Sequence, residues 1–274
     1  MNIQSKTELN NGVKMPWLGL GVFEANDGNE VITAVKTALE SGYRSIDTAA
    51  AYQNEKGVGT AIQESNVPRD EIFLTSKVWN SQQGYQSTIE AFEKSLDKLQ
   101  TDYLDLYLIH WPKGKKSVET WKAMEELHNQ GKIKAIGVSN FLVHHLEEFL
   151  PECKVTPAVN QVEFHPELIQ PELLGYCKKK TIQLEAWSPI MKGKVLNVPL
   201  LQELGEKYNK TPVQVTLRWE IQKGVVTIPK SVTPKRIVAN ADIFDFEISD
   251  EDMKKIDDLD KNQRTGPHPD HITF

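Results

Sequence analysis

A carboxylate, a phenol, an ammonium group and an imidazole occur at Asp47, Tyr52, Lys77 and His110. A phenol has an unperturbed pKa of about 10, so it is a weak acid at neutral pH unless a nearby ammonium group stabilises the phenolate. A buried lysine needs a counter-charge, which an aspartate can supply. An imidazole N–H can hold a carbonyl oxygen by a hydrogen bond. Together these groups can deliver a proton to a carbonyl oxygen, with a hydride donor supplied from outside the chain.

The elements that must position these groups are apolar runs typical of β-strands, at 45–49, 72–77 and 103–110. The polar residues lie at or just beyond the ends of these runs, and a helix-like segment follows each run. If the strands are parallel, their ends point the same way and the polar side chains can converge. The structural alternative is that Asp47 and Lys77 form an ion pair with no chemical role.

Strand-like and helix-like segments alternate along most of the chain. Repeated βα units predict a parallel sheet that is buried on both faces. Eight such units predict a closed (β/α)8 TIM barrel, an α/β fold whose active site lies at the carboxyl ends of the strands. The eight strand-like runs lie near residues 18–22, 43–49, 72–78, 103–110, 133–138, 158–163, 182–187 and 225–229.

Local signals support the helices between these runs. Val31, Val35 and Leu39 have the spacing of one buried helix face. Thr211 followed by Pro212 is typical of a helix N-terminus, with the threonine as its cap. The sequence therefore predicts amphipathic helices that pack their apolar faces against the strands.

An open, doubly wound sheet is the alternative fold. It would need a phosphate-binding G-x-G-x-x-G fingerprint, which the glycine pairs within 19–24 and 57–62 do not complete.

Near the N-terminus, an Asn-Gly pair within 7–15 predicts a β-hairpin that precedes the main fold and closes one end of the barrel. We expect one domain over 1–274, with an irregular tail over about 261–274.

Composition narrows the classes of function. The chain has 274 residues and a formal charge of −6 with acids and bases interspersed, which argues against nucleic acid as a partner. Its two cysteines, Cys153 and Cys177, lack metal-type spacing and predict free thiols in a reducing compartment. No signal-peptide pattern and no apolar run long enough to cross a bilayer is present, so we expect a cytoplasmic protein without a membrane partner.

Several longer motifs resemble those of the aldo-keto reductases, nearly from end to end of the chain. The branch that it resembles most is the bacterial one that includes 2,5-diketogluconate reductases and glyoxal or methylglyoxal reductases. The resemblance implies that Asp47, Tyr52, Lys77 and His110 are the family's catalytic tetrad. The matching stretches are Leu18–Val22, Gly42–Ala49 with Tyr52 and Asn54-Glu55, Ser76–Trp79, Leu106–Pro112, Ile136–Phe141, Asn160–Glu163 and Ile228–Ser231 with Arg236.

The resemblance also implies NADPH or NADP+ bound in an extended conformation across the barrel mouth. Ser139, Asn140 and Gln161 match the positions that bind the nicotinamide amide, and Trp187 matches the aromatic residue that stacks on the nicotinamide ring. The remaining positions implied for the cofactor are Val22 and Asp47, the loop residues Ser188, Pro189 and Ile190 over the pyrophosphate, Lys230, Ser231, Val232 and Arg236 at the 2′-phosphate, and Asn240 at the adenine.

The substrate side implied by the resemblance is aromatic. Phe23, Trp79 and Trp111 match pocket-lining positions, beside Tyr52 and His110. The following segment, 112–117, is short and predicts an open pocket, over which the C-terminal tail can fold. Candidate substrates are small dicarbonyls such as methylglyoxal, aromatic aldehydes and keto-sugars, reduced with a proton from Tyr52.

Two other functions use the same residues. Some proteins of this fold are NADPH-sensing regulatory subunits, and a barrel metallohydrolase could use Asp47, His110 and Glu163. We expect no metal, and we read the pair His144-His145 as part of an exposed helix. The histidines flanking Asp270 predict a solvated tail. We expect a monomer that acts on a small carbonyl compound.

Overall fold

The computed structural model describes residues 1–274 and shows ten strands and ten α-helices. From residue 20 onward each strand is followed by an α-helix, as the sequence predicts, and two helices follow each of the last two strands. The strands are β1 Lys6–Glu8, β2 Lys14–Pro16, β3 Leu20–Gly21, β4 Ser45–Asp47, β5 Phe73–Val78, β6 Leu104–Ile109, β7 Ile133–Ser139, β8 Val159–Glu163, β9 Gln183–Trp187 and β10 Val226–Thr227. The helices are α1 Asn29–Glu40, α2 Glu55–Gln63, α3 Tyr85–Leu99, α4 Lys115–Asn129, α5 Val143–Phe149, α6 Pro171–Lys179, α7 Pro199–Tyr208, α8 Pro212–Gln222, α9 Pro234–Ala241 and α10 Asp250–Asp257.

Strands β3 to β10 form one parallel sheet in sequential order. Single bridges join Leu18 to Thr227 and Gly21 to Lys230, so the first and last strands of this sheet also meet. A Cβ on Gly21 would lie 2.9 Å from the carbonyl oxygen of Ile228, so a glycine permits this approach. The prediction of a parallel eight-stranded barrel is confirmed, and the open, doubly wound alternative is wrong.

The helices bury the faces that the sequence predicts. Val31, Val35 and Leu39 are buried on α1. The Thr211 side chain accepts a hydrogen bond from the Gln214 N–H and caps α8, with Pro212 in the first turn. None of the ten helices combines the length and apolar composition needed to cross a membrane.

The hairpin of β1 and β2 covers the amino-terminal end of the barrel. Leu9 and Met15 are buried in a small apolar cluster with Phe73 and Val226, which lie at the starts of their strands. This end is sealed by packing, so the opposite end, where the strands finish, is the one available for chemistry.

Candidate active site

Three adjacent parallel strands place the four predicted catalytic side chains. Asp47 is the last residue of β4, Lys77 lies near the end of β5 and His110 follows β6 directly. Tyr52 ends a short 3-10 turn, Ala50–Tyr52, which comes after β4. The structure therefore brings these four residues together at the carboxyl ends of the strands.

Lys77 is the centre of the group and is fully buried. Its Nζ donates hydrogen bonds to Asp47 Oδ1 at 2.7 Å, to the carbonyl oxygen of Thr48 at 3.0 Å and to the Tyr52 hydroxyl at 3.3 Å. All three ammonium hydrogens thus have acceptors, and the ammonium group has one close counter-charge. This geometry holds a cation against the phenol oxygen.

Burial raises the pKa of the Tyr52 phenol, and Lys77 opposes this effect. The pKa of Lys77 is also raised, since Asp47 and Tyr52 outweigh the burial that lowers it. The sequence analysis expects Lys77 to stabilise the phenolate, and this effect is present in the structure, whereas the opposing effect of burial had no sequence signal. Burial changes the Tyr52 pKa more than Lys77 does, so Tyr52 is protonated at neutral pH. Lys77 stabilises the phenolate and so lowers the free energy needed to remove that proton.

His110 is neutral in this environment. Burial, with Lys77 as a second cause, holds the pKa of its imidazole well below the usual range. The ring meets those of Tyr52 and Trp79 edge to face, at centroid distances of 5.6 and 5.0 Å. A neutral imidazole beside the phenol can offer a hydrogen bond without competing as a strong acid.

The Asn140 side chain hydrogen-bonds to two other residues predicted to bind the nicotinamide. It follows β7 in the left-handed conformation, with φ of 66°. Its Nδ2 donates to Ser139 Oγ at 3.1 Å, and its Oδ1 accepts the Trp187 indole N–H at 2.8 Å. The Trp187 ring is therefore held by its polar edge, which fixes the orientation of the ring.

Gln161 is tied to two acidic side chains. Its Nε2 donates to Asp47 Oδ2 and to Glu185 Oε2, both at 2.8 Å. The sequence analysis did not include Glu185, a residue of β9 that is fully buried. A glutamate at an inward-facing strand position is the signal that could have identified it.

The residues predicted at the 2′-phosphate lie where the last strand ends. Ser231 and Val232 lead into α9, with Arg236 in its first turn and Asn240 near its end. No carboxylate pairs with Lys230 or Arg236; the Lys230 ammonium donates one hydrogen bond, to the carbonyl oxygen of Glu24 at 3.4 Å. Two unpaired cations beside a helix N-terminus suit an anionic group.

Other predicted cofactor residues lie on the neighbouring loops. Ser188, in a left-handed conformation with φ of 55°, follows Trp187, and Pro189 and Ile190 continue this loop. Val22 is buried and donates its backbone N–H to the carbonyl oxygen of Asp47. These loops follow the carboxyl ends of β3 and β9, at the same edge of the sheet as the catalytic group.

Aromatic side chains surround the phenol. The Phe23 ring is half exposed and lies 5.1 Å from that of Tyr52. Sequence reasoning missed the terminal Phe274, which stacks on Trp79 at 5.4 Å and meets Trp111 edge to face at 5.5 Å. A chain terminus carries no periodic pattern, so its contacts had no sequence signal.

A model of the Aldo/keto reductase family matches residues 17–261. The chain belongs to this family. It is 60% identical to the glyoxal reductase of Bacillus subtilis (strain 168) over 273 residues, which are 100% of this chain and 99% of that one. It is 48% identical over 269 residues to the methylglyoxal reductase DkgA of Escherichia coli (strain K12), with 97% of each chain covered. A solved structure of a Gox0644 mutant in complex with NADPH has 44% identity, a TM-score of 0.94 and 99% coverage of each chain.

The C-terminal tail of this aldo/keto reductase crosses the mouth, an arrangement that the sequence analysis allowed without predicting it. The buried Glu163 carboxylate accepts hydrogen bonds from the Thr265 N–H and hydroxyl, both at 2.6 Å, and from the Gly266 N–H at 3.1 Å. Gly266 also lies against the Trp187 ring, where a Cβ would come within 2.4 Å of the indole. Glu163 is thus occupied by the tail and His165, which disfavours the metallohydrolase alternative.

The tail of this reductase also meets α5, a contact that the sequence analysis missed. His144 Nε2 and His145 Nε2 both lie near Asp270 Oδ1, at 3.0 and 3.1 Å. These three side chains are close enough to share a metal ion. However, the Leu142 N–H donates to His145 Nδ1 at 3.1 Å, so the neutral ring carries its proton on Nε2, directed at Asp270. These hydrogen bonds attach the tail to α5.

Proposed function

We propose that this chain is an NADPH-dependent reductase that converts aldehydes and ketones to alcohols, with Tyr52 as the proton donor. The observation that carries the proposal is the Tyr52 hydroxyl held 3.3 Å from a fully buried ammonium group, inside an aromatic pocket. Family membership and the names of the two reductase relatives support the same reaction.

The residues at the mouth fit NADPH. Gln161 has used both N–H groups, so its Oε1 is free to accept from a carboxamide. The Trp187 ring is fixed by Asn140 and can stack on a flat heterocycle. Lys230 and Arg236 have no carboxylate partner and can hold a 2′-phosphate. When bound, NADPH supplies the hydride.

The chain supplies the proton and the orientation. Tyr52, kept protonated by burial, donates its proton to the carbonyl oxygen. Lys77 stabilises the phenolate that remains, and Asp47 compensates the charge of Lys77. Neutral His110, whose ring lies edge to face with that of Tyr52, donates a hydrogen bond to the same carbonyl oxygen. General acid catalysis of this kind contributes about 10²–10⁴-fold in rate.

The pocket favours small carbonyl compounds. Phe274 lies against Trp79 and Trp111, so it reduces the space next to His110. Methylglyoxal and glyoxal fit such a site, and the relatives named for these substrates support this choice. Aromatic aldehydes and keto-sugars are larger candidate substrates, and we propose to compare them with the small dicarbonyls.

We propose that the protein acts as a cytoplasmic monomer, with no nucleic-acid partner, and that residues 1–274 form one domain. The formal charge of −6 supports the absence of a nucleic-acid partner. Light scattering during gel filtration measures the mass directly. A mass near twice 31.1 kDa would contradict the monomer.

The experiment that tests the function is a substrate panel with the purified chain. Oxidation of NADPH is followed with methylglyoxal, glyoxal, a benzaldehyde, an aldose and 2,5-diketogluconate, and the measurements are repeated with NADH. We expect turnover with the small dicarbonyls and a preference for NADPH. An NADPH-sensing subunit would bind NADPH without turning over any of these substrates, and that result would contradict the proposal.

A further inference from the structure

A buried acidic side chain beneath the proposed catalytic group has no assigned role. Glu185 lies on β9, is fully buried and pairs in register with Gln161 on β8. Its Oε2 accepts from Gln161 Nε2, while its Oε1 has no hydrogen-bond partner in the chain. A buried carboxyl group with one oxygen that lacks a hydrogen-bond partner destabilises the folded state. Its presence therefore indicates a role other than stability.

The contacts of Gln161 show what Glu185 does. Asp47 and Glu185 lie on either side of Nε2 and take both amide hydrogens. A reversed amide would place Oε1 against two carboxyl groups, one of them charged, so only one orientation is favourable. The amide oxygen is consequently kept free as an acceptor, at the position proposed to meet the nicotinamide carboxamide.

The charges around Glu185 determine its protonation. Asp47 approaches from β4 and Lys77 from β5, Tyr52 lies beyond Lys77, and Val226 of β10, paired with Glu185, is apolar. Lys77 bonds to Asp47 and not to Glu185. One ammonium group cannot balance two buried carboxylates around one nitrogen, so one of the two must be neutral.

We propose that Glu185 is a positioning residue that, as a neutral carboxylic acid, fixes the Gln161 amide and spares the catalytic lysine and tyrosine a second negative charge. The inference rests on the proposed reductase function. Burial, followed by the charge of Asp47, raises the pKa of the Glu185 carboxyl to about 8. Above that pH the Glu185 anion opposes phenolate formation at Tyr52, so proton donation becomes slower.

The variant Glu185→Gln tests the protonation. Its amide oxygen can still accept from Gln161, but the side chain cannot ionise. We expect kcat/KM of Glu185→Gln, relative to wild type, to rise about tenfold between about pH 7 and about pH 9, because one pKa unit at Tyr52 corresponds to a factor of about ten. The matched control is Glu220→Gln, which alters another fully buried glutamate, on α8, and should follow the wild-type profile.

A second variant separates positioning from simple packing. Glu185→Leu removes the acceptor and should raise the Kd for NADPH by about three- to tenfold, the loss expected for one hydrogen bond, whereas Glu185→Gln should keep wild-type affinity. Equal affinity in wild type and Glu185→Leu would contradict the positioning of Gln161. Thermal melting of each variant shows whether it is folded.

The outcomes for the inference and for the proposed function are distinct. Absence of turnover by wild type would contradict the function, whereas turnover with a pH-independent ratio of Glu185→Gln to wild type would overturn only the inference. Infrared difference spectra of wild type minus Glu185→Gln at about pH 7 add a readout that needs no activity. A carboxylic acid C=O band must be present, and its absence would overturn the inference.

Discussion

The ammonium nitrogen of Lys77 lies 3.3 Å from the hydroxyl oxygen of Tyr52 and 4.9 Å from the centroid of its ring. The cation thus contacts the oxygen that loses the proton and the π system that shares the resulting charge. This contact partly offsets the burial that makes Tyr52 a weaker acid. Acid strength at this site therefore depends on Lys77 as well as on the burial of Tyr52.

Lys77→Met should slow reduction and move the alkaline limb of the pH–rate profile to higher pH. Lys77 lowers the Tyr52 pKa in the structure, so its loss leaves burial and Asp47, both of which raise it. The weaker acid donates more slowly but stays protonated to higher pH. Measurement of kcat against pH in both proteins tests this, and superimposable profiles would mean that Lys77 is structural.

The stability of Lys77→Met, compared with that of a double variant, provides a control. Lys77→Met leaves the Asp47 carboxylate buried without its cation and should cost about 3–5 kcal/mol of unfolding free energy. Asp47→Asn combined with Lys77→Met removes both charges and should recover most of this loss. The double variant still lacks the ammonium group, so its reduction should stay slower than that of wild type. Loss of the Asp47 charge, which raises the Tyr52 pKa, should place its alkaline limb at lower pH than that of Lys77→Met.

Replacing Lys230 with Met and Arg236 with Ala should weaken NADPH binding by at least about tenfold, because charge-assisted hydrogen bonds contribute about 1.5–3 kcal/mol each. NADH lacks the 2′-phosphate, so its binding should change much less. Quenching of tryptophan fluorescence gives both dissociation constants, and salt should weaken NADPH binding. Lys254→Met, an exposed lysine on α10, is the control. Equal losses for both cofactors would place the phosphate site elsewhere.

Phe274→Ala should change the size preference of the pocket. The ring stacks on Trp79 and meets Trp111, so its removal opens space beside both. We expect KM for methylglyoxal to rise by about two- to tenfold, the value of one or two aromatic contacts, while KM for bulkier aldehydes falls. Tyr85→Ala, which alters an exposed aromatic residue at the start of α3, should change neither. A uniform change across substrates would exclude a role in size selection.

The pH dependence of stability should reveal the buried Glu220. Burial raises the pKa of its carboxyl well above the usual value, so the folded state retains a proton that the unfolded state loses above about pH 4. Stability due to this group therefore falls as pH rises, by at most about 1.4 kcal/mol per pH unit. Glu220→Gln should flatten the decline in melting temperature between about pH 5 and about pH 8. Parallel curves would contradict an acid that is neutral in the folded state.

The sequence predicts the barrel because each element depends on local patterns. The strand near residues 103–110 is apolar apart from Asp105, and the Thr211 cap is a local signal, so both are found as predicted. The polar residues at the strand ends converge because the carboxyl ends of parallel strands all lie at the same end of the barrel. The direction of the strands, which the sequence predicts, is therefore sufficient to predict the proposed catalytic group.

The missed contacts depend on distances that no local pattern encodes. Asp270 meets His144 across 126 positions of the chain, and Phe274 meets Asn80 across 194. The rise of the Tyr52 pKa through burial was also missed, because it depends on the depth of burial relative to one ammonium group. Side-chain packing and desolvation become known only once the fold is assembled.

Tyr52→Phe with methylglyoxal is the most direct test of the central claim. The change removes the one hydroxyl proposed to donate the proton and leaves the ring that contacts Phe23. We expect an NADPH dissociation constant close to that of wild type and a kcat lower by about 10²–10⁴-fold. Turnover within a few-fold of wild type would contradict the assignment of Tyr52 as the proton donor.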